Sequence, residues 1–239
     1  MNAESRPVRS AQTEVHPRLE QTIRKHLAQP WRQPLHQPTV AAFKRLQRML
    51  GRQGRSARII LDSGCGTGTS TRRTAAQCPG SLVLGVDRSI DRLGKTGHDS
   101  FPAREQNLVW LRADLPSFWV LASQAGWKLD RHLLLYPNPY PKAAHLQRRW
   151  HGHPVFPRML SLGGELELRS NWLVYMLEFA LAVELLGMVR PVIETIKQPD
   201  SASRFEAKYH DSGQALYRLV VRGQALETSR VLESIDQQS

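Results

Sequence analysis

Cysteine is nearly absent from this chain. Two residues in 239, Cys65 and Cys78, exclude a disulfide framework and leave too few thiolates for a zinc site, so no metal is expected. Long apolar runs are missing too. No stretch approaches the ~18 residues that a membrane span requires, and Met1 to Ser10 lacks the apolar core of a signal peptide, so the expected place is the cytoplasm and no membrane partner is expected. Acidic residues are scarce: 21 Asp plus Glu against 33 Lys plus Arg give a formal charge of +12 and a pI of about 10.4. A polyanion is the natural partner for a surface of that sign, and on charge alone nucleic acid or an anionic membrane surface would serve. The length suits one α/β domain with an N-terminal extension, as a monomer or homodimer.

Aliphatics are also sparse at the start, where Pro7, Pro17, Pro30, Pro34 and Pro38 punctuate the chain. Residues 1–38 are therefore expected to form an extended or partly ordered basic arm, with no long helix and no packed core, and residues 39–239 to form the domain. From Met1 to Arg58 twelve Lys or Arg stand against Glu4, Glu14 and Glu20, so most of the net charge lies there. Such an arm either neutralises phosphates or serves as a solubilising tail. Thr39 is the predicted N-cap of a helix through Leu50, with Val40, Phe43, Leu46, Met49 and Leu50 on one face and Gly51 as its stop.

What the sequence does have is a short apolar run ending in an acid and three alternating glycines: Ile59-Ile60-Leu61-Asp62-Ser63-Gly64-Cys65-Gly66-Thr67-Gly68. The run suits a strand buried on both faces, the glycines allow positive φ and close approach to a ligand, and Thr69 to Ala76 continues as a helix. The spacing differs from the dinucleotide fingerprint G-x-G-x-x-G. It resembles the first motif of class I S-adenosylmethionine (SAM) methyltransferases, and a tight strand-to-helix turn without a ligand is the alternative. Ser81 to Val86 reads as a second buried strand with Asp87 at its carboxyl end, where an acid accepts the hydroxyls of a ribose. Ser89 to Lys95 is the next helix, Leu108 to Leu111 the third strand, and Leu115 to Ala125 the helix after it. Between these, Asp114 resembles the acid that recognises the adenine amino group in class I methyltransferases. Either acid alone is equally an ordinary helix N-terminal charge.

A fourth strand, Arg131 to Tyr136, breaks at Pro137-Asn138-Pro139-Tyr140-Pro141-Lys142, a stiff loop leading into a basic segment with His145, Arg148, Arg149, His151, His153 and Arg158. This stretch resembles the P-D-P-W-P-K…H-x-x-R-R signature of the tRNA (guanine-N7)-methyltransferase family of the bacterial TrmB type. The likeness runs from Ile59 to Arg222. Gly163 to Asn171 resembles the family's glycine-led fifth strand, Trp172 to Leu186 the helix behind it, Ser203 to Lys208 the T-x-F-E element, and Ala215 to Val221 the closing strand.

The resemblance implies a class I, Rossmann-like α/β fold: a mostly parallel seven-stranded sheet, helices on both faces, one late antiparallel strand. It implies SAM as cofactor, held by Asp62, Gly64, Gly66, Gly68, Asp87, Asp114 and Pro137, and tRNA as partner, with a variable-loop guanine as the methyl acceptor. The implied substrate contacts are Lys142, His145, Arg148, Arg149, Asn171, Ser203 and Glu206, with Asn138 and Glu206 catalytic. Two departures stand out. Asn138 replaces the acid of P-D-P, and Ser170-Asn171 replaces a Thr-Asp pair, so negative charge is lost beside the base. Methylation of another nucleic acid or a small molecule, and an impaired RNA-binding relative, are the competing readings.

Overall fold

The computed structural model describes residues 6–29, 33–51, 57–200 and 203–223; residues 1–5 and 30–32 of the expected arm, and 52–56, 201–202 and 224–239 of the expected domain, lie outside that range. Five parallel strands form the centre of the sheet: β1 (Ile59–Ser63), β2 (Leu82–Asp87), β4 (Leu108–Arg112), β5 (Arg131–Leu135) and β6 (Glu165–Ser170). With β3 (Ala103–Glu105), β7 (Ile193–Thr195) and β8 (Tyr217–Val221) the order is β3-β4-β2-β1-β5-β6-β8-β7. The family resemblance implies seven strands, six of which are read along the chain; the described residues make eight, because β3 and β7 add two three-residue edges to those six. Antiparallel pairing occurs at β3 against β4 and at β8 against β6 and β7.

Strand side chains alternate between two covered faces, which is why Ile59–Leu61 of β1, Leu82–Val86 of β2 and Leu108–Leu111 of β4 read as apolar runs. Ile60, Val83, Trp110 and Leu133 point to one face, with Ala75 of α3 (Thr69–Gln77) and Leu93 of α4 (Ile90–Leu93). Leu61, Leu84, Leu111, Leu134 and Leu168 point to the other. There they meet α2 (Gln37–Leu50), α5 (Leu115–Gln124), α6 (Phe156–Ser161) and α7 (Leu173–Leu185), through Phe43, Phe118, Met159 and Phe179. The carboxyl ends of β1, β2, β4 and β5 share one edge of this sheet. Among the described residues no helix is long and apolar enough to cross a membrane.

Two expectations for the N-terminal region are corrected. Leu19–Ala28 form a helix, α1, against α7, and Leu19 and Ile23 are buried in the main core with Leu27 packed against it. The prolines flank this helix rather than interrupt it, and three aliphatics at i, i+4, i+8 are enough for a stripe. Ile23→Ala should therefore lower the unfolding free energy by about 2 to 5 kcal/mol in urea denaturation. A loss below about 1 kcal/mol would remove α1 from the core. The second correction is Thr39, which lies inside α2, whose N-cap is His36 and whose first turn holds Pro38. Proline's fixed φ favours that turn and moves the start upstream. The Thr39 hydroxyl is left to accept from the Asp114 backbone N–H at 2.9 Å and to pair with His36 Nδ1.

Candidate active site

β1 ends in two buried residues, Asp62 and Ser63, and the chain then turns through Gly64, Gly66 and Gly68 with φ of 77°, 59° and 79°. Gly68 is required twice over: a Cβ there would sit 2.3 Å from the Trp110 ring, and its left-handed conformation opens α3. The turn is latched to its neighbour strand, since the N–H groups of Gly64 and Cys65 both donate to the Val86 carbonyl. Two buried carboxylates brace it. Asp62 Oδ2 accepts from the hydroxyls of Ser70 and Thr71 at 2.6 and 2.7 Å, and burial pushes its pKa up against those bonds. Asp87 accepts from the Gly66 N–H at 2.9 Å and the Ser89 N–H at 2.8 Å. Oδ2 thus already holds the turn while Oδ1 holds the N-cap of α4, each keeping a second lone pair for a ligand. Asp114 caps α5, with Oδ2 accepting from the N–H and hydroxyl of Ser117.

A cavity of about 540 Å³ opens above the turn, a volume typical of small-molecule sites. Asp62, Gly64, Gly66, Thr67 and Ser70 line it on the turn side; Arg92 of α4 and Leu135 of β5 lie at its margin. The remaining wall is α8 (Arg204–Asp211) with its N-cap Ser203, through Phe205, Lys208 and Asp211. Phe205 is 45% exposed and stacks on Tyr209, centroids 6.0 Å apart; Tyr209 in turn lies 5.5 Å from Tyr136. Arg92, Thr67 and the Phe205 platform were missed by sequence reasoning, although an aromatic pair spaced i, i+4 on a helix was there to be seen. Of the expected cofactor residues, Asp62, Gly64 and Gly66 line this cavity; Gly68, Asp87, Asp114 and Pro137 are not among its lining residues.

The proline loop follows β5 and is pinned from several sides. Tyr136 and Tyr140 take positive φ, 52° and 44°, a conformation that side chains resist and that needs support from elsewhere. Tyr136 donates its N–H to the Arg169 carbonyl and its hydroxyl to Glu206 Oε2, both at 2.8 Å. Arg149 donates to the carbonyls of Tyr140 and Lys142, and the Ser10 hydroxyl donates to that of Pro141 at 2.6 Å. Asn138, at the exposed tip, accepts from the Tyr140 N–H through Oδ1, an Asx turn. Lys142 and Arg148 are exposed and His145 is half-buried against Tyr140. Asn171 donates to Gln214, and the Ser203 hydroxyl accepts from the Glu206 N–H.

Two expected substrate contacts are buried in ion pairs. Arg149 is a correction: its side chain is wholly buried, paired with Glu178 and lying 4.8 Å over the Trp172 ring, so no phosphate reaches it. Glu206 is likewise buried rather than turned to a base edge, because Oε2 accepts from both Tyr136 and Arg169 at 2.8 Å. Arg169 also reaches Glu167 and Asp200. Burial opposes its charge, yet hydrogen bonds to Asp200 and Glu206 and the field of Glu167 raise its pKa further, so the guanidinium stays charged. Among the described residues no group of three or more His, Cys, Asp or Glu could hold a metal ion.

Residues 56–219 match the family model Methyltransf_4, which describes methyltransferases. The chain is 30% identical over 166 residues to the tRNA (guanine-N(7)-)-methyltransferase of Mycolicibacterium gilvum, covering 56% of this chain and 59% of that one. It is 26% identical over 182 residues to the enzyme of that name from Thermus thermophilus, covering 69% of this chain and 53% of that one. It thus spans a little over half the length of these two relatives. Among solved structures it is similar to the 16S rRNA methyltransferase KamB, with a TM-score of 0.52 at 16% identity over 80% of this chain and 96% of that one. That likeness is one of fold, the class I methyltransferase sheet.

Proposed function

We propose, from the premise that this chain belongs to the Methyltransf_4 family of methyltransferases, that it transfers the methyl group of SAM to N7 of a guanine in tRNA, in the cytoplasm. The observation that carries this is the juxtaposition of a glycine-floored cavity with the Pro137–Lys142 loop at the carboxyl edge of one sheet. The residues present fit the cofactor. A Cβ built on Gly66 would meet no protein atom within 4 Å although Gly66 lines the cavity, so the space above it is free for a ligand. Lys208 and Arg92, and Asp62 and Asp211, give that cavity both signs of charge, as the carboxylate and ammonium of a methionyl group need.

When bound, SAM supplies an electrophilic methyl on a sulfonium. Guanine N7 carries a lone pair and no proton, so the chain needs no general base at that atom. Its work is positioning, together with tolerance of positive charge that appears on the guanine ring. Gly64, Gly66 and Thr67 shape the donor site, and Asp62 and Asp87 hold that backbone rigid from beneath. Leu135 and Phe205 give an apolar margin that keeps water from the reacting atoms. Asn138 orients the base from the loop tip, and Lys142 and Arg148 meet phosphates. Glu206 is a positioning residue, acting through Tyr136 and Arg169.

Incubation with methyl-labelled SAM and unmodified tRNA, followed by nucleoside analysis, should give 7-methylguanosine. The neutral Asn138 and the ion-paired Glu206 favour one second reading, another methylated nucleoside, and finding that instead would overturn the N7 assignment. Asp87→Ala, which removes the acceptor for the Gly66 N–H, should weaken SAM binding by about 1.5 to 3 kcal/mol in calorimetry without RNA. Unchanged affinity would remove Asp87 from the cofactor site.

A further inference from the structure

A second cavity, about 740 Å³, lies between α1 and the 3-10 segment Ala143–Arg148 that follows the proline loop. Arg18, Gln21, Thr22 and Lys25 form one wall, with His16 at its end, and Gln147 and Arg148 contribute to the other. Every fully charged residue lining it is a cation. Glu20, the acid nearest in sequence on α1, is not among the lining residues and pairs with Arg24. Among the described residues Arg18, Lys25 and Arg148 have no acidic partner, and all three are exposed. Three unneutralised cations around one groove, two from α1 and its N-cap and one from the segment leading out of the loop that meets the base, form an anion site with no anion of the protein's own in it.

The walls are also fixed relative to each other. Four hydrogen bonds tie the stretch before α1 to the segments around the groove: Ser10 to the Pro141 carbonyl of the proline loop, Gln12 to Arg149 at the end of the 3-10 segment, and both Gln12 and the His16 N–H to Glu178 of α7. A groove held this way keeps its shape when RNA arrives, so little ordering cost falls on binding. One wall lies upstream of residues 56–219, the part that matches the family model.

We propose that this groove seats the sugar-phosphate backbone of the RNA substrate, with Arg18, Lys25 and Arg148 neutralising successive phosphates while the nearby loop holds the target base. This rests on the RNA-methylation reading above and adds to it the place and polarity of the contact. The N-terminal helix becomes part of the substrate site rather than a tail.

The test compares two triple variants of the full chain, Arg18→Ala/Lys25→Ala/Arg148→Ala and Lys44→Ala/Arg45→Ala/Arg48→Ala. The second removes equal charge from the exposed side of α2. Affinity for an unmodified tRNA transcript is measured across a salt series. The groove variant should bind at least about tenfold more weakly at moderate salt, with the slope of log affinity against log salt shallower by about 2 to 3, while the α2 variant stays close to native. SAM affinity should be native in both, which also reports that each is folded. Equal losses in both variants, or no loss in the groove variant, would overturn the proposal, as would a native chain that does not bind the transcript. Nucleoside analysis of native reactions separates this from the assignment of the base: a groove-dependent affinity without 7-methylguanosine keeps the groove and removes the N7 reading.

Discussion

Glu178→Ala should cost about 3 to 5 kcal/mol of unfolding free energy, as expected when one partner of a buried ion pair is removed. Glu178 sits in the middle of α7, among the buried Val174, Tyr175, Phe179 and Val183, and is itself wholly buried. A carboxylate there survives only because it is saturated: Arg149 and His151 reach Oε2, while Gln12 and the His16 N–H reach Oε1. Its removal leaves the Arg149 guanidinium buried with no counter-charge, and desolvated charge without a partner is the most expensive state in a core. Burial pushes the Glu178 pKa up, but the His151 and Arg149 contacts outweigh it and hold it at about 2, below the usual 4.5. Because the folded value is the lower one, the stabilisation is present above about pH 4.5 and is lost as pH falls toward 2. Urea unfolding of the native chain should weaken across that window, and the variant should show a shallower dependence there. A loss below about 1 kcal/mol at neutral pH would mean that the cluster contributes little.

The same cluster shows where sequence reasoning stops. Arg148 and Arg149 are adjacent in a basic run, and nothing in that run tells which one turns inward; the structure exposes the first and buries the second. The signal lay elsewhere, in a glutamate at the middle of the otherwise apolar stretch Leu173 to Val183, which demands a buried cation from some distant segment. β1, β2, β4 and β5 were legible because strands buried on both faces carry a run of three or more adjacent apolar residues. β3 (Ala-Arg-Glu) and β7 (Ile-Glu-Thr) were not, since three partly exposed edge residues carry neither an apolar run nor an alternation long enough to read. The glycine turn was legible down to its residues because positive φ at three alternate positions leaves few other choices. Which acid faces a ligand was not. Asp62, Asp87 and Asp114 all stand at strand ends, and only the fold shows that the first two brace the turn while the third caps a helix.

Glu206→Gln should slow single-turnover methylation of tRNA about a hundredfold while leaving SAM affinity within a few-fold of native. The cofactor cavity is lined by Ser203, Phe205 and Lys208 but not by Glu206 itself. What Glu206 holds is the junction of three elements: α8, the start of the proline loop through Tyr136, and β6 through Arg169. Loss of its charge leaves Arg169 anchored by Glu167 and Asp200, so α8 and the loop shift relative to the sheet, and a displacement near 1 Å at the reacting atoms is worth about that factor. Asn138→Ala should act differently. It removes the Asx turn and the polar tip proposed to meet the base, slowing the chemical step by about tenfold, whereas Asn138→Asp should equal or exceed the native rate by placing negative charge beside the forming cation. The contrast between the two positions is itself the readout: a charge contact at the tip makes Asp faster than Asn, while a positioning role at Glu206 makes the isosteric amide slow although it fits the same space. If Glu206→Gln and Asn138→Ala both turn over at the native rate, neither the loop nor α8 sets the geometry of the acceptor, and the methyl-transfer site lies on another side of the cavity.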